Sequence, residues 1–338
     1  MDATDLTSPE KTLLQAVRAR AAFEGFSKTS AHRVCTDMQT LARLVLQSRE
    51  TGDLIDLIQS GQPLMRIISS TWGDKSPYTV CTKVSSITSA IKHASQTFDQ
   101  ASLEATRAFW GRKLADMTAA LRDKERDNVQ NEREAQSMLT FAELDTAISA
   151  CDASHSNLQS SQERLWLIIS RHVPAKRSDW GKILVVDNRD MVDPDTNAIL
   201  VPSDARQSTV LILNQYKTAT TYGQYEEVMP TLVAREIRTS LENIPRSHLF
   251  LDSRGRPWAK SVCGDPFAMW VKRVFTKHVG RGVTVNGLRK SWVRMAGDPS
   301  KFTLRERDEL ARRMNHTSDT QANRYFKLLQ SDRQNAAP

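Results

Sequence analysis

The chain has 338 residues, 39% hydrophobic and 25% charged, a length and balance that lead one to expect two folded domains and exclude wholesale disorder. Its formal charge of +8 is uneven: residues 1–138 are nearly neutral, whereas residues 271–338 carry 15 Lys/Arg against six Asp/Glu. Such a basic concentration attracts polyanions, of which nucleic acid is the commonest inside cells, although a well-solvated surface has the same signature on charge alone.

The start, Met1 to Lys11, carries acidic residues and no apolar run, so it does not read as a secretory signal, and no stretch approaches membrane-spanning length. A soluble intracellular protein is expected, nuclear or cytoplasmic, with no membrane partner. Cys35, Cys81, Cys151 and Cys263 lie far apart without a C-x-x-C, which speaks against a disulfide framework and against a zinc finger.

In chain order, Ser8-Pro9-Glu10 has the form of an N-cap followed by proline in the first turn, predicting a helix to about Phe23. Val34, Met38, Leu41 and Val45 recur at three- and four-residue intervals, as do Val80, Val84, Ile87, Ile91 and Ala94 in a helix starting after Ser76-Pro77. Another helix is expected from about Leu103 to Leu121. Residues 123–137 are charged and nearly devoid of apolar side chains, and read as an interdomain connection. Thr140-Phe141-Ala142-Glu143 is a capping box for a helix carrying Leu144 and Ile148. Beyond Trp180, Ile183 to Val186, Ala198 to Val201 and Thr209 to Leu213 are short aliphatic and β-branched runs, which predict a small antiparallel sheet. Helices resume after Met229-Pro230, interrupted by His248 to Leu251 and the turn Asp252-Ser253-Arg254-Gly255. The expected layout is an α-helical domain over 1–135 with its connection at about 123–138, a mixed α+β domain over 139–330, and a polar tail at 331–338.

Near the C-terminus Val285-Asn286-Gly287-Leu288-Arg289 opens one helix, Leu310 to His316 closes another, and Tyr325 follows nine residues after His316. Upstream, Pro174-Ala175-Lys176-Arg177-Ser178-Asp179-Trp180 precedes the first strand, and Tyr216-Lys217-Thr218-Ala219 lies just past the third. In this order the boxes resemble those of the tyrosine recombinase (integrase) family: an arginine, a hairpin lysine, an H-x-x-R box, an L-G-H-like box and a nucleophilic tyrosine. The wording P-x-x-R-x-D-W and Y-K-T-A-x-x-Y-G is most similar to the recombinases of crypton-type mobile elements and of large DNA viruses. The resemblance covers roughly residues 139–330; residues 1–135 resemble the family's helical DNA-clamping domain only in layout.

The resemblance implies a C-shaped clamp on double-stranded DNA that acts as a homo-tetramer, is a monomer or dimer when free, and uses neither metal, cofactor nor ATP. Tyr325 would attack a DNA phosphate to leave a 3′-phosphotyrosyl link. Arg177 and Arg289 would bind the non-bridging oxygens in forked geometry and stabilise the transition-state charge. His316 would add a phosphate hydrogen bond, and Lys217, at the tip of a hairpin, would protonate the departing 5′-oxygen. Asp179 would orient the arginine or lysine from behind.

Three departures stand beside these matches. Asn286 occupies the place of the family's histidine and cannot take a proton at neutral pH. Strict spacing back from Asp179 lands on Lys176 rather than Arg177; Arg177 is preferred because a fork suits a phosphate better than a point charge. Asn315 stands where glycine is usual, which should slightly alter the helix end. Taken singly each residue has a plainer reading: Tyr325 as a core tyrosine, Arg289 or Lys217 as a surface charge, His316 as a partner of helix-terminal carbonyls.

On the helix 77–95, Lys83, Ser86 and Lys92 lie away from the apolar stripe and are candidate DNA contacts, as is Lys290; an ordinary solvated face is the equal alternative. Trp270 and Trp292 read as core residues rather than base-stacking platforms. Two other functions remain open: the same chemistry with a different outcome, as in a type IB topoisomerase or telomere resolvase, and a catalytically silent DNA-binding protein on the same scaffold.

Overall fold

The computed structural model describes residues 6–23, 28–48, 50–126, 136–258, 265–296 and 302–317. Its contacts divide the chain into two units, Met1–Asp127 and Asn128–Pro338. The polar tail, Cys263, Tyr325 and residues 127–135 of the expected connection lie outside the described residues. Among the described residues no helix is long and apolar enough to cross a membrane.

The first unit is helical: α1 (Ser8–Phe23), α2 (Lys28–Gln47), α3 (Leu54–Ser60), α4 (Gln62–Trp72), α5 (Pro77–His93) and α6 (Leu103–Arg126). The cap of α1 is Thr7 rather than Ser8, because the Thr7 amide donates to Glu10 at 2.8 Å and the Glu10 amide returns a bond to the Thr7 hydroxyl. The second Glu10 oxygen accepts from the Leu54 amide at 3.3 Å. One buried carboxylate thus closes the N-terminal ends of α1 and α3, where bare amides and the helix dipole favour negative charge. The two apolar stripes join Leu13, Val17 and Trp110 in a single core. Gly61, at φ +73°, makes the turn from α3 to α4, and a Cβ there would stand 2.7 Å from the Phe109 ring.

The polar face expected on α5 is placed differently by the structure. Ser86 is fully buried and donates to Asp37 Oδ2 at 2.6 Å, and Lys83 pairs with the other oxygen of Asp37 while standing over the Trp72 ring. Of the three, Lys92 alone is exposed. The reason is on α2: Asp37 is only 5% exposed, and a buried carboxylate requires partners from the helix it faces. Replacing Asp37 with Ala should therefore lower the stability of this unit by about 3 kcal/mol, because it strands an ammonium and a hydroxyl in the interior. Urea unfolding followed by Trp fluorescence checks this, and Lys83→Met in the same background should recover much of the loss.

The second unit contains α7 (Phe141–Ala150), α8 (Leu158–His172), β1 (Leu184–Val186), β2 (Ala198–Leu200), β3 (Val210–Leu213), α9 (Ala219–Tyr222), β4 (Tyr225–Val228), α10 (Thr231–Asn243), α11 (Pro266–Val279), α12 (Val285–Met295) and α13 (Leu304–Arg313). The sheet has order β1-β2-β3-β4 and is mixed, not antiparallel throughout: β1 and β2 run parallel, with Leu184 opposite Ala198, while β2-β3 and β3-β4 are antiparallel. Residues 187–197 are long enough, with their turn at Arg189–Met191, to return the chain to the start of β1 before β2 begins. On the far side of β1 the chain pairs again, the Val185 amide donating to Ser247 and the Leu249 amide to Ile183. Trp166 of α8 anchors the core, with ring centroids of Phe267 at 5.3 Å, Phe250 at 5.8 Å, Trp270 at 6.3 Å and Trp180 at 6.4 Å. Trp292 also packs inward, donating to the Ser170 carbonyl at 2.7 Å.

Candidate active site

Three stretches that are far apart in sequence meet in the second unit: the loop 173–177 after α8, the first turns of α12, and the end of α13. Thr284 caps α12 by accepting from the Gly287 amide at 3.0 Å. The chain entering α7 crosses this first turn closely. The Leu139 amide donates to Ser291 Oγ at 2.7 Å, Arg281 donates to the Met138 carbonyl at 2.7 Å, and a Cβ on Gly287 would lie 2.7 Å from the Ser137 carbonyl oxygen. Gly287 is therefore required by a backbone crossing. Gly287→Ala should cost about 1–3 kcal/mol, as overpacking against backbone does, read as a lowered urea midpoint; an unchanged midpoint would show that the crossing yields freely.

That first turn fixes Arg289, which is fully buried. Its Nη1 donates to the Ala175 carbonyl at 2.9 Å and its Nη2 to the Met314 carbonyl at 2.8 Å. The guanidinium thus binds the backbone just before Lys176-Arg177 to the backbone just before Asn315-His316.

Lys176 is 1% exposed. Its ammonium pairs with Glu227 Oε2 at 2.7 Å, donates to the Tyr225 hydroxyl at 2.9 Å, and donates to the Arg313 carbonyl. Burial pushes its pKa down to about 8, against the pull of Glu227. Burial raises the Glu227 carboxyl, but Lys176 and Arg313 outweigh that and hold it below the ordinary carboxylate range. Arg313 completes the group, its Nε donating to Glu227 Oε1 at 2.9 Å. Lys176 is thereby occupied within the protein, whereas Arg177 is half-buried and its charge is felt at His316. The carboxylate bonded to Lys176 is Glu227; the Tyr216 phenol is raised chiefly by burial, then by Tyr222 and the charge of Asp179.

His316 is 6% exposed, and Asn315 before it takes φ +55°, the left-handed conformation that glycine would supply. Asparagine tolerates this left-handed backbone better than most residues with a side chain. His316 Nδ1 lies 3.0 Å from the Thr317 carbonyl. A carbonyl only accepts, so Nδ1 carries the proton, and in the neutral ring Nε2 is an acceptor. Burial, with Arg289 and then Arg177 and Lys176, lowers the imidazole pKa to about 4, opposed by the bond to Thr317. The phosphate hydrogen bond expected of His316 would call for the protonated ring, in which Nε2 donates. Because the folded value lies below the ordinary 6.5, the unfolded chain binds a proton that the native chain does not, and stability contributed by His316 is lost as pH falls from about 6.5 to about 4. An NMR titration of the His316 ring should show a midpoint near 4, and a midpoint above 6 would contradict this electrostatic picture.

The other expected residues lie around this junction. Lys217 is exposed on the connection 214–224 between β3 and β4. The base of that connection is pinned by Asn197, whose Oδ1 accepts from the Asn214 and Gln215 amides at 2.9 and 2.7 Å, and Tyr216 braces it by donating to the Gly223 carbonyl at 2.8 Å. Asn286 is exposed on the first turn of α12, and Lys290 is half-buried. Sequence reasoning missed Glu227, Tyr225 and Arg313. The signal was present in Tyr-Glu-Glu-Val of β4, where one of two adjacent glutamates must turn inward and so requires buried cations. Among the described residues no cluster of three His, Cys, Asp or Glu side chains could hold a metal.

Comparison with protein families finds no match, and comparison with curated proteins finds none either. Solved structures do match. A lambda integrase dimer bound to a COC′ core site superposes with TM-score 0.55 at 14% identity, covering 97% of this chain and 79% of that one. The Tn1549 transposon integrase in complex with transposon right end DNA gives 0.54 at 15% identity over 96% of this chain and 97% of that one. A lambda integrase tetramer bound to a Holliday junction gives 0.52 at 14% identity over 96% and 77%. At such identities the likeness speaks for the fold: a mostly helical chain with a small mixed four-stranded sheet, as in the catalytic domain of tyrosine recombinases.

Proposed function

We propose that the chain is a DNA recombinase that cleaves and rejoins strands through a 3′-phosphotyrosyl intermediate, with Tyr325 as nucleophile. The observation that carries this reading is the junction of Ala175, Arg289 and Met314, which gathers Arg177, Arg289 and His316 from three separate boxes on an integrase-like fold. Tyr325 lies outside the described residues, so its assignment rests on its spacing from His316.

Each residue has a role in this reading. Arg289 and Arg177 stabilise charge on the pentacoordinate phosphate. Neutral His316, with its Nε2 lone pair, receives the phenol proton of Tyr325, a task for which Asn286 is unsuited. An anionic phosphodiester docked beside Arg289 offsets the cations that depress the imidazole and raises its basicity. Lys217 on its exposed loop protonates the leaving 5′-oxygen. Residues 1–135 and 139–330 form the DNA-clamping and catalytic domains, with Lys92 and Lys290 as phosphate contacts, and the chain assembles as a tetramer on double-stranded DNA. The wording of its boxes, which most resembles crypton-type and large-DNA-virus recombinases, supports the same reading. Asn286, exposed and unable to take a proton, is the feature that favours a silent DNA-binding scaffold instead.

Incubation with a pool of nicked suicide duplexes in EDTA, followed by denaturing electrophoresis and peptide mapping, tests the proposal. A 3′-linked adduct on the Tyr325 peptide is expected. Tyr325→Phe should bind DNA without forming it, and Arg289→Lys, which keeps a cation but cannot hold both the Ala175 and Met314 carbonyls, should reduce it about 100-fold or more. Binding without any adduct supports the silent scaffold, and adducts confined to magnesium would indicate another class of phosphoryl transfer.

A further inference from the structure

Beside His316 lies a cavity of about 420 Å³, bounded by the β3-β4 connection on one side and the end of α13 on the other. That volume is within the range of small-molecule pockets and ample for one nucleobase. Tyr216, Tyr222 and Tyr225 contribute aromatic surface to it, and Gln224 and Asn315 contribute amides. Two of the phenols are engaged, Tyr216 with Gly223 and Tyr225 with Glu227. Tyr222 is 50% exposed, and its phenol has no hydrogen bond among the described residues.

Asn315 supplies the second, independent observation. It is only 7% exposed, and its Nδ2 has no hydrogen-bond partner among the described residues. A buried amide left this way costs about 1–3 kcal/mol and calls for an acceptor from outside. The charges say what kind. Asp308 lines the cavity and disfavours a phosphate, while of the other charges there Glu226 is paired with Arg189 and Arg312 is held by Glu309 at 2.8 Å. The cations that suit a phosphate, Arg289, Arg177 and Lys176, act on the same imidazole from the site already described.

We propose that this cavity binds the nucleobase of a nucleotide displaced from the DNA stack next to the attacked phosphate, stacking it on Tyr222 and hydrogen-bonding it through Asn315 and Gln224. The proposal rests on the DNA-cleaving reading of the adjacent site. Aromatic stacking supplies sequence-tolerant affinity, and the amides meet the donor and acceptor groups of the base edge.

The test compares binding of the full chain to two nicked duplexes of identical sequence, one with an unpaired nucleotide at the nick and one with an abasic residue there. The base-containing duplex should bind about tenfold more tightly. Tyr222→Ala should abolish that preference, and so should Asn315→Gly, which removes the amide while keeping a residue suited to φ +55°. Equal affinity for the two duplexes overturns the proposal and leaves the DNA-cleaving reading standing; no binding to either duplex removes both. If both variants lower the thermal midpoint yet leave the preference unchanged, the cavity belongs to the protein's own chain and the proposal falls.

Discussion

The second unit is organised around one buried guanidinium. Arg289 joins two carbonyls that belong to distant parts of the chain, Ala175 before the Lys176-Arg177 pair and Met314 before the Asn315-His316 pair. Carbonyl oxygens at the end of a loop and at the end of a helix otherwise lack intrahelical donors, so a planar group with several fixed N–H vectors can satisfy both at once. The position of Arg289 is in turn set by Gly287, because the chain entering α7 passes within contact of that residue. A backbone crossing thus determines where the guanidinium sits, and the guanidinium determines where the other boxes sit.

This arrangement concentrates positive charge in a poorly solvated place. Lys176 and Arg289 are buried, Arg313 is partly buried beside them, and Glu227 is the carboxylate bonded to both Lys176 and Arg313. Desolvation penalises each charge, and burial together with the neighbouring cations pushes Lys176 and His316 down. An anion arriving here would relieve the excess, which is the electrostatic ground for the phosphodiester in the proposed function.

What the sequence made legible follows from how local each signal is. The stripes of α2 and α5 and the Thr140 capping box depend on neighbours within one or two turns, and those elements form as their patterns indicate. Helix α8 has Leu165 to Ile169 buried without interruption, so it presents no 3.6-residue alternation to read. The direction of β1 relative to β2 and the inward turn of Glu227 depend on partners many residues away. The same holds for Ser86, whose burial is imposed by Asp37 across the interface between α5 and α2. The order of the boxes pointed to one site, but the way Lys176 and Arg177 divide could be seen only once Glu227 had a place.

Asn315 shows how a single position can carry two demands. Its backbone lies at φ +55°, where glycine is the least costly residue and asparagine the usual substitute. Backbone geometry alone therefore gives no reason to prefer asparagine, and the amide it adds is buried without a partner among the described residues. A residue that adds an unsatisfied donor where a side-chain-free one would fold as well is stabilising only in a state that supplies the acceptor. In the binding proposed above, the base edge in the cavity beside His316 supplies that acceptor. A nucleotide has the matching asymmetry, a charged phosphate at one end and a neutral base edge at the other, and the two halves of this site divide along the same line.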